Sequence, residues 1–150
     1  MTVQPTVKEN APCQMEEQWN RLLHLARGLS DEAQQRPNAA GDWSVRDVMG
    51  HIATWDRELV NVVGRYLASG EKTDFSDDQA VDRYNDAEVA RQRSLTQRQL
   101  WDEVTQSHQQ LVQFLQGLPE EPFDPGTYTG GWIATDSWGH YSEHRQYLEG

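Results

Sequence analysis

The stretch WSVRDVMGHIATWDRELVNVVGRYLASG, residues 43–70, decides the fold class. Val45, Val48, Met49, Ile52, Leu59, Val62, Val63, Tyr66 and Leu67 recur at three- and four-residue steps, which aligns them along one face of a single long helix. Ser44 is placed to cap that helix, and Asp47 sits where a capping-box acid reaches back to the cap. An acid in the first turn also suits the helix dipole. Gly70 marks the end.

Working outward, Met15, Trp19, Leu22, Leu23 and Ala26 predict a helix from Gln14 that stops at Gly28. Before it, Pro5 and Pro12 and the absence of periodicity predict a flexible arm over residues 1–13, leaving 14–150 as the domain. Ser30 to Asp42 reads as a polar connection and residues 71–79 as a charged loop. Val81, Tyr84 and Val89 predict a short helix over Ala80 to Arg93. Thr96 with Gln99 repeats the capping pattern and opens a helix on Leu100, Val104, Leu111, Phe114, Leu115 and Leu118, closed by Gly117 and Pro119. Glu120 to Gly131 reads as a Gly- and Pro-rich loop, and Thr135 to Leu148 as the last helix. No run alternates as a half-buried strand does. The expectation is an all-α four-helix bundle.

At 150 residues and 36 % hydrophobic, the chain fits one domain with its own core. It carries 13 basic and 24 acidic side chains, a net charge of −11. That balance predicts a protein that binds neither nucleic acid nor an anionic membrane surface. No apolar stretch is long enough to span a bilayer. Met1 to Pro12 has neither the basic nor the apolar segment of a secretory signal, so the expected location is cytoplasmic. Cys13 is the sole cysteine and has no neighbour that would activate it.

Five histidines are present: His24, His51, His108, His140 and His144. His140 and His144 share one helix face and can hold one ion between them. Chance gives about 0.13 pairs at that spacing, so the spacing alone is weak. His51 adds weight, because an imidazole among the apolar residues of the 45–67 helix needs a partner. Three neutral imidazoles with an open fourth position is the arrangement of catalytic zinc sites; a hydrogen-bonded core histidine is the plainer alternative. Asp136 and Asp56 are candidates to orient a ligand ring or act on bound water. Asp136 can equally be a first-turn acid favoured by the dipole. His24 and His108 lie among polar residues and read as solvent-facing or packing groups. Trp55, Tyr128 and Trp132 are pocket candidates, the latter two on the loop that leads into the histidine helix.

The segments Trp43-Ser-Val-Arg-Asp-Val-Met-Gly-His51-Ile-Ala-Thr-Trp55 and Asp136-Ser-Trp-Gly-His140-Tyr-Ser-Glu-His144-Arg resemble signatures of the DinB-like (YfiT-like) metalloenzymes, over about residues 14–148. That superfamily includes the N-terminal domain of mycothiol-dependent maleylpyruvate isomerase and the bacillithiol and mycothiol S-transferases. The resemblance implies up-down-down-up topology, a homodimer, and zinc or nickel on His51, His140 and His144. It implies a metal-dependent transferase or hydrolase in stress response or detoxification, acting on a small molecule and drawing on a low-molecular-weight thiol. With Gly150 only six residues past His144, no C-terminal partner domain is expected, nor the isomerase activity itself. The alternatives are a non-catalytic resistance module, similar to ClbS/DfsB-type bundles, and a dimer in which metal serves stability alone.

Overall fold

The fold is taken from a computed structural model, which describes residues 3–149. Helix α1 spans Val7–Arg27, and α3 spans Val45–Ser69; the short α2, Asp31–Gln34, lies between them. Helices α4 (Asp78–Arg93), α5 (Gln97–Gln116), α6 (Tyr128–Asp136) and α7 (Trp138–Glu149) complete the order, with a 3₁₀ turn at Glu121–Phe123. No strand occurs among the described residues.

The capping boxes form as the sequence requires. Ser44 accepts from the Asp47 amide while Asp47 accepts from the Ser44 amide, and Thr96 and Gln99 make the same exchange. A third box, Thr6 with Glu9, corrects the expected arm, because it starts α1 at Val7. Pro12 lies inside that helix, and Ala11 and Met15 are buried, so the apolar stripe runs through the segment that lacked visible periodicity. The polar composition of residues 30–42, with Pro37 and Gly41, likewise concealed α2, which Ser30 caps and which buries Gln34 against Trp101.

Contacts between helices give the directions. Arg46 reaches the Thr96 carbonyl, Arg57 donates to Ser107, and Gly64 faces Phe114, so α3 and α5 run parallel in a constant register. Thr6 meets Glu120, Trp19 stacks on His108, and Arg27 lies over Trp101, so α1 runs against α5. His51 faces His144 and Asp56 meets Tyr141, so α7 runs against α3. This is the up-down-down-up bundle, with α4 as the crossover that lets two consecutive long helices be parallel. Arg46, buried beneath α4, donates to the carbonyls of Gln92, Leu95 and Thr96 and closes the crossover's C-terminus.

The last helix differs from expectation. It is two helices, α6 and α7, broken at Ser137, whose hydroxyl donates to the Ile133 carbonyl. The expected loop at Tyr128–Gly131 is the first turn of α6, capped by Thr127. Gly130 serves packing: a Cβ there would lie 1.9 Å from the Asp124 carbonyl oxygen. At the break, a Cβ on Gly139 would lie 2.6 Å from the Ala134 carbonyl oxygen, so the bend just before His140 requires glycine. Gly139→Ala is expected to lower stability by about 1–3 kcal/mol. Gly131→Ala, whose Cβ meets nothing within 4 Å, should be neutral or stabilising, and equal losses in urea unfolding of the two variants would contradict this account of the bend.

Candidate metal centre

His51 comes from the middle of the first half of α3, and His140 and His144 from successive turns of α7. One ligand nitrogen from each lies within 4.8 Å of the others. The His140 and His144 Nε2 atoms are 2.8 Å apart, and the His51 ring centroid is 5.3 and 5.1 Å from theirs. Trp43 packs on His51 at 4.9 Å from the other side. His51 and His140 are buried.

Burial holds all three rings in the neutral form that a metal requires. It pushes His51 down to about 3, with His144 adding to the effect. Burial also lowers His140 well below its ordinary value and lowers His144, where nearby Glu143 opposes the shift. The Nδ1 of His140 is buried without a hydrogen-bond partner. An imidazole buried with one nitrogen orphaned is a costly structural element. Three neutral nitrogen donors converging on one point fit a divalent transition ion, so the residues present suit the metal that the family resemblance implies.

A cavity of about 550 Å³ opens onto His51 and His140. Trp55, Phe75, Tyr128 and Trp132 form its aromatic wall, and Asp78 and Asp136 also line it. The expected pocket residues Trp55, Tyr128 and Trp132 are therefore together, although Tyr128 and Trp132 are on α6 rather than a loop. Phe75 and Asp78 were missed because they lie in or beside the charged 71–79 segment, whose composition signals only solvent.

The two aspartates separate. Asp136 lines the cavity, and burial, with Glu143 nearby, lifts it to about 6. Asp56 has no such access: it is fully buried, and its two oxygens each lie 3.0 Å from the Tyr141 hydroxyl. Burial pushes its carboxyl well above the usual range. Neither aspartate hydrogen-bonds to a ring of the triad among the described residues.

Tyr141 links Asp56 to His108, whose Nδ1 is 2.9 Å from the same hydroxyl. With Tyr141 donating to Asp56, His108 donates its Nδ1–H to the phenolic oxygen. His108 stacks on Trp19 with centroids 3.9 Å apart. It is half-buried against the core, so of the solvent-facing and packing roles expected for it the packing one holds; helical spacing places it in the stripe of Val104, Leu111 and Leu115. Asp56 likewise falls in the stripe of Ile52, Leu59 and Val63, a signal that a buried acid needed a partner. His24 is exposed, and so is Cys13.

Acid dependence follows from these shifts. His51 at about 3 and His108 at about 4 stay neutral in the fold, while in the unfolded chain they protonate near 6.5. Their contribution to stability is complete above about pH 6.5 and is lost as pH falls toward those lower values. Asp136 acts in the opposite sense below about 6, because its folded form takes up a proton first. In long-range proton–nitrogen spectra His108 should keep neutral-ring shifts down to about pH 5; a midpoint above about 6 would contradict the buried stack. Tyr141→Phe, which strips Asp56 of its donor, should cost about 1–3 kcal/mol in urea unfolding, and an unchanged midpoint would show that the link carries no energy.

Comparison with known proteins places this geometry. Residues 15–146 match the model of the mycothiol maleylpyruvate isomerase N-terminal domain. No curated protein matches the chain in sequence. Among solved structures, an uncharacterised protein from Escherichia coli UTI89 superposes with a TM-score of 0.79 at 14 % identity, covering 97 % of this chain and 92 % of that one. The colibactin self-resistance protein ClbS, solved in complex with double-stranded DNA, gives 0.78 at 17 % identity, covering 98 % and 96 %. These likenesses establish a shared fold. The ClbS complex overturns the expectation that the chain's acidity excludes nucleic acid. Net charge sums the whole surface, whereas a duplex meets one face, so the sum does not decide the question. No described helix is long and apolar enough to cross a membrane.

Proposed function

The chain belongs to the mycothiol maleylpyruvate isomerase N-terminal domain family, and from that membership and its converging imidazoles we propose that it is a metal-dependent enzyme acting on a small molecule. The observation that carries this reading is three ligand nitrogens within 4.8 Å of one another at the edge of an aromatic cavity. His51, His140 and His144 would hold one zinc or nickel ion. Bound to three neutral ligands, such an ion keeps its full charge and supplies Lewis acidity, lowering the pKa of a thiol or water that it binds.

This chain's own residues do the rest. Trp43 backs the His51 ring and fixes its plane. Trp55 donates its indole N–H to Asn85 at 2.8 Å, and the Thr73 amide donates to the Tyr128 hydroxyl at 3.1 Å, so both rings are anchored by hydrogen bonds. Asp136, at about 6, changes protonation close to neutral pH and is the group we assign to carry a proton to or from a substrate in the cavity. Asp56, sealed beneath Tyr141, has no part in that transfer. Thiol transfer to an electrophile is the reaction we favour, with a low-molecular-weight thiol as co-substrate, on the family's behalf.

A rival reading is a non-catalytic protective module; the ClbS likeness over nearly the whole chain raises it, and in that reading DNA is a candidate partner. Purified protein reconstituted with zinc or nickel should hold about one equivalent, His140→Ala should abolish it, and His24→Ala should leave it unchanged. A screen of several small thiols against a reporter electrophile should then find turnover that Asp136→Asn reduces by about 10²-fold or more with a loss of the acidic limb near pH 6. No metal after reconstitution contradicts the enzyme reading; full metal occupancy with duplex DNA retarded in gels and no turnover supports the rival.

A further inference from the structure

The lining of the histidine cavity carries information about charge that the −11 total does not. Four aromatic rings form its wall, and they stand at steep angles to one another. Trp55 and Phe75 meet at 65° with centroids 5.2 Å apart, Phe75 and Trp132 at 60° and 5.4 Å, and Tyr128 and Trp132 at 65° and 6.5 Å. Rings packed edge to face leave part of their π surface uncovered by one another, and all four line this open cavity. Two carboxylates, Asp78 and Asp136, share that lining.

Neither lysine nor arginine lines the cavity among the described residues. The donor on Trp55 is already committed to Asn85. An anionic group entering here meets two carboxylates and aromatic rings, and no cationic side chain belongs to the lining itself. A cation meets the reverse. Lys72, which does not line the cavity, shows the same attraction to one of these rings: its Nζ lies 5.3 Å from the Tyr128 centroid.

We propose that the cavity selects a substrate bearing a positive charge, a quaternary ammonium or protonated amine held against Trp55, Phe75 and Trp132 with Asp78 as its counter-ion, Asp136 being left to the reacting end. Cation–π attraction and the Asp78 carboxylate act on the same group. The charged end of the substrate sits at the aromatic wall and its reacting end at the histidines, which makes the molecule bifunctional. This rests on the reading of the cavity as the substrate site, and it extends that reading from a small molecule to a cationic one.

Three probes of one shape separate charge from size: choline, its neutral isostere 3,3-dimethylbutan-1-ol, and the anion 3,3-dimethylbutanoate. Binding is followed by tryptophan fluorescence and calorimetry on the full chain, as purified and after zinc loading, with metal content measured on the same samples. Choline should bind at least about ten-fold more tightly than the neutral isostere, and the anion should be weakest in the metal-free protein. Asp78→Asn and Phe75→Leu should each remove most of the choline preference while metal content stays unchanged. A neutral isostere that binds as well as choline, an anion that binds best without metal, no choline binding at all, or a preference that survives both variants overturns the proposal. A choline preference in protein that never takes up metal retains the cation site and removes the metal reading, so the two fail separately.

Discussion

A buried acid and a buried phenol hold the arrangement together. Asp56 on α3 has no access to water and meets the hydroxyl of Tyr141 on α7, which also meets His108 on α5, itself stacked on Trp19 of α1. Leaving any member without its partner would strand a polar group in the core. Helices α3, α5 and α7 therefore share one hydrogen-bonded junction, and α1 joins it by stacking Trp19 on His108. Because Tyr141 directly follows His140, the junction sets the register of α7 against α3, and with it the approach of His140 and His144 to His51.

The bend between α6 and α7 does the complementary task. With Ser137 turned back on Ile133 and no side chain at Gly139, α7 leaves α6 in a new direction, while α6 stays beside the cavity and supplies Tyr128, Trp132 and Asp136. Burial then sets the chemistry. It keeps the three imidazoles neutral and lifts Asp136 toward neutrality, so one cause moves the histidines down and the aspartate up.

Much of this was legible in the chain. The long helix α3 could be read from its apolar steps, Ser44 and Asp47 from their spacing, and the histidine triad from two motifs far apart in sequence. What stayed hidden has a common cause: local composition was a poor guide to helical face. His108 has polar neighbours in sequence yet lies in an apolar stripe, and Phe75 sits in a charged segment yet joins the aromatic wall. Gly130 and Gly131 read as a loop because glycine weakens helices, but at Gly130 tertiary crowding by Asp124 demands it within one. Pro12 masked the first turns of α1 in the same manner. The inference from net charge to partners failed for a different reason, since charge acts where surfaces meet and not as a sum.

The central claim is that His51, His140 and His144 together bind one ion. X-ray absorption of the protein loaded with one equivalent of zinc tests it most directly. The account predicts a first shell at about 2.0–2.1 Å with the outer-shell scattering of three imidazoles, falling to two when His51 is replaced by alanine. A sulfur scatterer, or a shell unchanged by that replacement, would contradict it.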